Sequence, residues 1–134
     1  MSNAELFQRV KAMELPVGKY ALFGSAPMGV RNLKDCRDAD VIVTADLWEK
    51  YRNDPAWRGQ TSASGNEGLA NGDIELWRSW KPWFPDVETL IAEAELIDGL
   101  PFVRLERVLA WKKQYGREKD LKDVEIIEKF LRTI

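Results

Sequence analysis

Short apolar runs separated by polar connections occupy the first three-quarters of the chain, and helical spacing takes over at its end. Leu6, Val10 and Met13 recur at helical intervals over residues 5–13, predicting a weakly amphipathic first helix that Leu15-Pro-Val-Gly18 stops. Residues 19–23 read as a short apolar strand. Residues 26–33 open on a turn at Ala26-Pro27-Met28-Gly29 and continue as a short helix, and 41–44 form a second strand. A helix over 46–51 ends at Asn53-Asp54-Pro55. The Gly, Ser, Asn and Gln content of residues 58–72 predicts an exposed or mobile loop. Alternation over 73–78 predicts a third strand, broken by Lys81-Pro-Trp-Phe-Pro85, after which Asp86 is placed to cap a helix over 87–94.

Two short strands around an Asp98-Gly99 turn follow. Leu105, Val108, Leu109 and Trp111 then mark a helix over 105–115 that Gly116 closes. Asp120 is expected to cap a last helix carrying Leu121, Val124, Ile127, Phe130 and Leu131. Strands with interleaved short helices, finished by two helices, make an α/β or α+β fold in one domain over residues 1–134.

Composition narrows the chemistry more than the fold. At 134 residues, 45% hydrophobic and 31% charged, the chain can bury a core without staples. A net charge of −2 gives no global footprint for nucleic acid or an anionic membrane. The single cysteine, Cys36, excludes an intramolecular disulfide and fits a reducing, cytoplasmic location. With no histidine, histidine-activated nucleophiles and histidine metal sites are excluded. Met-Ser-Asn-Ala-Glu-Leu-Phe lacks the charged-then-apolar pattern of a signal, and no apolar run reaches the ~20 residues of a membrane span.

What remains is carboxylate and phosphate chemistry. Asp38 and Asp40, at i and i+2 around the start of the apolar run Val41-Ile42-Val43, share a face and lie about 6–7 Å apart. Like charges so placed repel, and a divalent cation makes the arrangement favourable; Mg²⁺ typically takes one or two carboxylates plus substrate phosphates. Gly24-Ser25 follows a strand and precedes a helix, where backbone amides and the Ser25 hydroxyl can hold a triphosphate. Glu75, on the next strand, offers a third carboxylate, and Glu75 or Asp73 is the candidate general base. Trp77 shares the side of Glu75 and is the best base-stacking candidate among Trp77, Trp80 and Trp83.

Phe23-Gly24-Ser25, a spacer, and Asp38-Ala39-Asp40-Val41 resemble the signature of the DNA polymerase β type nucleotidyltransferase superfamily, in its small stand-alone members and related abortive-infection toxins. A second match is Lys112 followed by Gly116-Arg-Glu-Lys-Asp120 and Asp123, similar to a segment of the toxin-like branch in which a helical lysine approaches the nucleotide phosphates. The resemblance covers roughly residues 18–45 and 105–130. It implies a mixed sheet flanked by helices and Mg²⁺ at Asp38, Asp40 and Glu75. It further implies phosphates at Gly24, Ser25 and Lys112, and transfer of a nucleoside monophosphate from a triphosphate to a hydroxyl of RNA, protein or a small molecule. Pro27, which has no amide to donate, and Glu75, where aspartate is commoner, depart from the pattern.

Each residue also has an ordinary role. Gly24-Ser25 makes a strand-end turn, Asp38 pairs with Arg37 or Lys34, and Glu75 sits on an exposed edge. Lys112 snorkels from a helix face, Asp120 and Asp123 cap a helix, and the tryptophans pack between the third strand and the helix after Pro85. On that basis two alternatives stand beside the enzyme. One is a non-catalytic module of the same fold, acting as an antitoxin or assembly partner; the other is a small RNA-binding protein.

Overall fold

The structure, a computed structural model, describes residues 1–134. The elements run α1 (Asn3–Lys11), β1 (Tyr20–Phe23), α2 (Ala26–Gly29), β2 (Ala39–Val43), α3 (Ala45–Arg52), β3 (Arg58–Thr61) and β4 (Glu67–Asn71). They continue as β5 (Ile74–Trp77), α4 (Val87–Ala92), β6 (Glu95–Ile97), β7 (Leu100–Phe102), α5 (Leu105–Tyr115) and α6 (Glu118–Arg132). All seven strands form one sheet in the order β3-β4-β5-β2-β1-β7-β6. The β2–β5 and β1–β7 pairs are parallel and the rest antiparallel. This is the α+β class with a mixed sheet and two C-terminal helices, as the sequence predicts. No helix is long and apolar enough to cross a membrane.

Local chemistry sets the element ends. The Ser2 hydroxyl accepts from the Glu5 amide at 3.1 Å and opens α1; the Asp86 carboxylate accepts from Glu88 at 3.0 Å and opens α4. Asp98 and Gly99 both have positive φ (51° and 83°), the backbone a two-residue hairpin turn requires between β6 and β7. Gly116, at φ 67°, closes α5 in the left-handed conformation. The last helix starts two residues before Asp120. The Asp120 carboxylate therefore caps from inside the first turn, reaching back to the Arg117 amide at 3.2 Å.

Three expectations are corrected. Residues 58–72 are not a loop but a hairpin, β3 and β4, with β4 paired to β5. Their polar composition carries no strand signal because β3 is an edge whose side chains, Gln60 apart, stay in water, and strand geometry comes from pairing rather than burial. Gly68 is there for a packing reason: a Cβ would lie 2.6 Å from the Trp77 ring. The helix after Ser25 lasts four residues instead of reaching residue 33. The second strand begins at Ala39 rather than Val41, so Asp40 lies within it.

Alternation divides the core in two. Leu22, Val41, Val43, Ile74 and Leu76 face α1 and α3, meeting Leu6, Val10 and Leu47. Ala21, Phe23, Ile42 and Trp77 face the other way, toward α4, α5 and α6, meeting Leu90, Val108, Trp111 and Ile127. Asp40 and Glu75 alternate with the first set and so belong to this second face.

A candidate active site between the sheet and the C-terminal helices

Asp40 is the centre of the second face. It is opposite Phe23 on β1 and in register with Glu75 on β5. Its Oδ1 accepts the Trp77 indole N–H at 3.0 Å. On the other side lies Gly24, at φ 58°, where a Cβ would come within 2.2 Å of Asp40 Oδ2. Only glycine allows both that backbone and that approach. Burial, with the neighbouring carboxylates of Glu75 and Asp38, pushes the Asp40 carboxyl up to about 7, against the opposing pull of the Trp77 hydrogen bond. The Glu75 carboxyl is within hydrogen-bond reach of it.

A cavity of about 420 Å³ opens above this point. Gly24, Ser25, Asp38, Asp40 and Lys112, five of the seven residues the sequence singles out, line it together. Lys34, Arg37, Arg117 and Lys119 line it too. Glu75 and Trp77 do not: Glu75 touches the site through Asp40, and Trp77 opens onto a second cavity. Asp73, the other candidate base, lines neither cavity and pairs with Arg9 at 3.2 Å.

The floor on the helical side is an ion-pair network. Lys112 is buried on α5, its ammonium 2.8 Å from Asp123 and 3.5 Å from Asp120. Lys34, from the segment between α2 and β2, reaches the same Asp123 oxygen at 2.6 Å, and Arg117 holds Asp120 at 2.6 Å. Burial alone would raise both carboxyls, yet the hydrogen bonds from Arg117 to Asp120, and from Lys112 and Lys34 to Asp123, outweigh it and hold them below their usual range. Three cations against two anions leave the network one positive charge in excess; Arg37 and Lys119 add two more at the cavity, and the lining carboxylates Asp35, Asp38 and Asp40 offset them. Five lysine and arginine side chains that can pair with a phosphate line this one cavity. Asp120 thus does more than cap, and Asp123, expected to cap as well, sits beyond the first turn of α6 and instead fixes Lys34 and Lys112 at the cavity wall.

No group of three acidic or cysteine side chains is gathered closely enough to hold a metal ion. Asp38, Asp40 and Glu75 are oxygen donors, and none of them takes part in a salt bridge. Carboxylate oxygens are the donors a hard divalent cation takes, and lysines and arginines line the same cavity as Asp38 and Asp40.

The second cavity, about 270 Å³, shares Asp40, Trp111 and Arg117 with the first. Its other walls include Trp77, Trp80, Trp83 and Tyr115, and its rim carries Ser62 and Ser64. The tryptophans also pack as a core: Trp80 stacks on Phe23 at 4.4 Å, and Trp83 on Tyr115 at 4.4 Å. The buried Asn66 ties the rim to this aromatic segment. Its amide donates to the Lys81 carbonyl at 2.9 Å, and its carbonyl accepts from Ser79 and the Lys81 amide, each at 2.8 Å. Sequence reasoning missed Trp111, Tyr115, Asn66 and the two serines. One signal was available, since Trp111 and Tyr115 are four residues apart and share a face of α5 beside Lys112.

The sequence matches no protein-family model and no curated protein.

Proposed function

We propose that the protein is a Mg²⁺-dependent nucleotidyltransferase that moves a nucleoside monophosphate from a triphosphate to a hydroxyl. The observation that carries this reading is the convergence of Gly24, Ser25, Asp38, Asp40 and Lys112 on one cavity that Lys34, Arg37, Arg117 and Lys119 also line. In this reading the amides at Gly24-Ser25 and the cations Lys34, Arg37 and Lys119 hold the phosphates, and Asp38, Asp40 and Glu75 hold the metal. When bound, Mg²⁺ supplies neutralisation of the phosphate oxygens and orientation of the α-phosphate. The acceptor hydroxyl oxygen forms a bond to the α-phosphorus, and the bond from that phosphorus to the bridging oxygen breaks. Pyrophosphate leaves with the electron pair, and the hydroxyl proton passes to a carboxylate of the site. Glu75, the cross-strand neighbour of Asp40, is the base this reading takes over Asp73, which Arg9 engages.

A rival has one observation in its favour: no three acidic groups are gathered for an ion. It is a non-catalytic module of the same architecture that serves a partner protein. Thermal melting with each nucleoside triphosphate, with and without Mg²⁺, separates the two. The transferase gains stability from at least one triphosphate only with Mg²⁺, loses that gain in Asp38→Ala/Asp40→Ala, and labels an acceptor in extract from α-labelled nucleotide. Absence of both stabilisation and labelling leaves the module.

A further inference from the structure

Two walls of the first cavity differ in what holds them. The Gly24-Ser25 turn and α2 are shaped by main-chain bonds, the Ser25 carbonyl accepting from both Met28 and Gly29. The facing wall is the connection of residues 34–38, which supplies Lys34, Asp35, Arg37 and Asp38 to the cavity. It lies in no helix or strand, and none of its amides or carbonyls bonds to another main-chain group. Its main chain is tied at two atoms, and both meet Asn3. The Lys34 carbonyl accepts from Asn3 Nδ2 at 2.9 Å, and the Cys36 amide donates to Asn3 Oδ1 at 2.9 Å. The other hydrogen of Nδ2 goes to the carbonyl of Gly29, the last residue of α2, at 3.3 Å.

One side-chain amide therefore bridges the two walls. Its two donors and one acceptor match two carbonyls and one N–H, which neither a carboxylate nor a hydroxyl can do. The fit is close: a Cβ on Gly29 would lie 2.4 Å from Cys36 Sγ and 3.2 Å from Asn3 Nδ2. Asn3 rides on a firm support, because Leu6 and Val10 anchor α1 in the core. What it holds in place faces the cavity. The Lys34 side chain is 34% exposed against 5% for Lys112, so of the two lysines on Asp123 it is the one open to a phosphate.

We infer that Asn3 is a positioning residue of the proposed transferase. It fixes residues 34–38 against α2 and so sets Lys34 and Asp38 opposite the Gly24-Ser25 turn. The fixing of the segment stands on the hydrogen bonds alone. That a triphosphate needs the segment so fixed rests on the nucleotidyl-transfer reading.

Amide hydrogen exchange on the full chain, without metal or nucleotide, tests the first part. The Cys36 amide should be protected in the parent and exchange about ten-fold or more faster in Asn3→Ala, having lost its acceptor, while Leu6 and Val10 exchange as before. A Cys36 amide that exchanges freely in the parent, or equally slowly in the variant, overturns the proposal. Calorimetric titration tests the second part, using Mg²⁺ and the nucleoside triphosphate that stabilises the parent. The Kd should rise about ten-fold or more in Asn3→Ala with the number of sites unchanged, whereas partial unfolding lowers the number of sites. An unchanged Kd beside altered exchange also overturns the positioning role. Should Asn3→Ala lose its fold, Asn3→Asp takes its place. A carboxylate suits the first turn of α1 but turns oxygen toward the Gly29 and Lys34 carbonyls, and the same rise in Kd is expected. A parent that no triphosphate stabilises sinks the transferase reading instead, and the exchange comparison then decides whether Asn3 fixes the segment.

Discussion

The two faces of the sheet are made by alternate residues of the same strands, and they are chemically opposite. On β2, Ala39, Val41 and Val43 enter the face under α1 and α3, while Asp40 and Ile42 enter the face under the C-terminal helices. On β5, Ile74 and Leu76 go one way, Glu75 and Trp77 the other. The first face is an aliphatic seal. The second contains unpaired carboxylates, a buried ion-pair network and unbonded indole donors. One strand can therefore supply stability on one side and tolerate locally unfavourable groups on the other, because the pleat keeps the two environments apart.

The sharpest way to break this comparison is to empty the second face of its acids. Asp38→Ala/Asp40→Ala should lower any transfer rate by about 10³-fold or more while the fold persists, checked by initial rates and circular dichroism. Retained activity would place the chemistry elsewhere.

Next in size is the ion-pair network. Asp123→Ala leaves Lys112 buried beside a single distant carboxylate and frees Lys34. It should cost about 3–5 kcal/mol in urea unfolding, the usual penalty for stranding a buried charge. A loss below about 1 kcal/mol would mean that Lys112 relaxes to water.

On the aliphatic face, Leu22→Ala at a fully buried position should cost about 3 kcal/mol, yet leave a triphosphate-induced melting shift in place. Loss of that shift would show that the faces are coupled.

The pH dependence is smaller and has a definite sign. Asp40 ionises at about 7 when folded, against 3.8 in the unfolded chain. Between those values the native state holds a proton that the unfolded chain has released, so metal-free stability falls as pH rises from about 4 to 7 and then levels. Asp40→Asn should flatten this slope, and Mg²⁺, favouring the ionised carboxylate, should flatten it in the parent protein. Melting temperatures across the range in EDTA and in Mg²⁺ check both. Asp120 and Asp123 act in the opposite sense: their depressed values make a contribution that is full above the ordinary carboxylate range and is lost on further acidification.

The smallest effect lies outside both faces. Arg9→Ala removes a half-exposed pair with Asp73 and should change stability by less than about 1 kcal/mol and transfer not at all. A clear loss of activity would return Asp73 to the reaction as its base.

Local rules suffice wherever neighbours along the chain determine conformation. Asp86 as a cap, the Asp98-Gly99 turn, Gly116 as a stop and the apolar spacing of the last two helices are all legible in the sequence, because each depends on groups within a turn of one another. The same holds for the shared face of Glu75 and Trp77, which strand alternation dictates, whereas Asp38 lies just before β2 and meets Asp40 at the cavity from outside the strand. Tertiary pairing decided the rest. Residues 58–72 became strands because β5 offers an edge to pair with, and nothing in their own side chains announces it. Lys112 met Asp123 and Lys34 across the packing of α5 and α6 on the segment before β2. Trp111 joined Trp80 and Trp83 only when α5 lay over β1 and β5. Sequence periodicity specifies which way a side chain points from its own element. What it meets there depends on contacts between distant segments, whose closure no local pattern encodes.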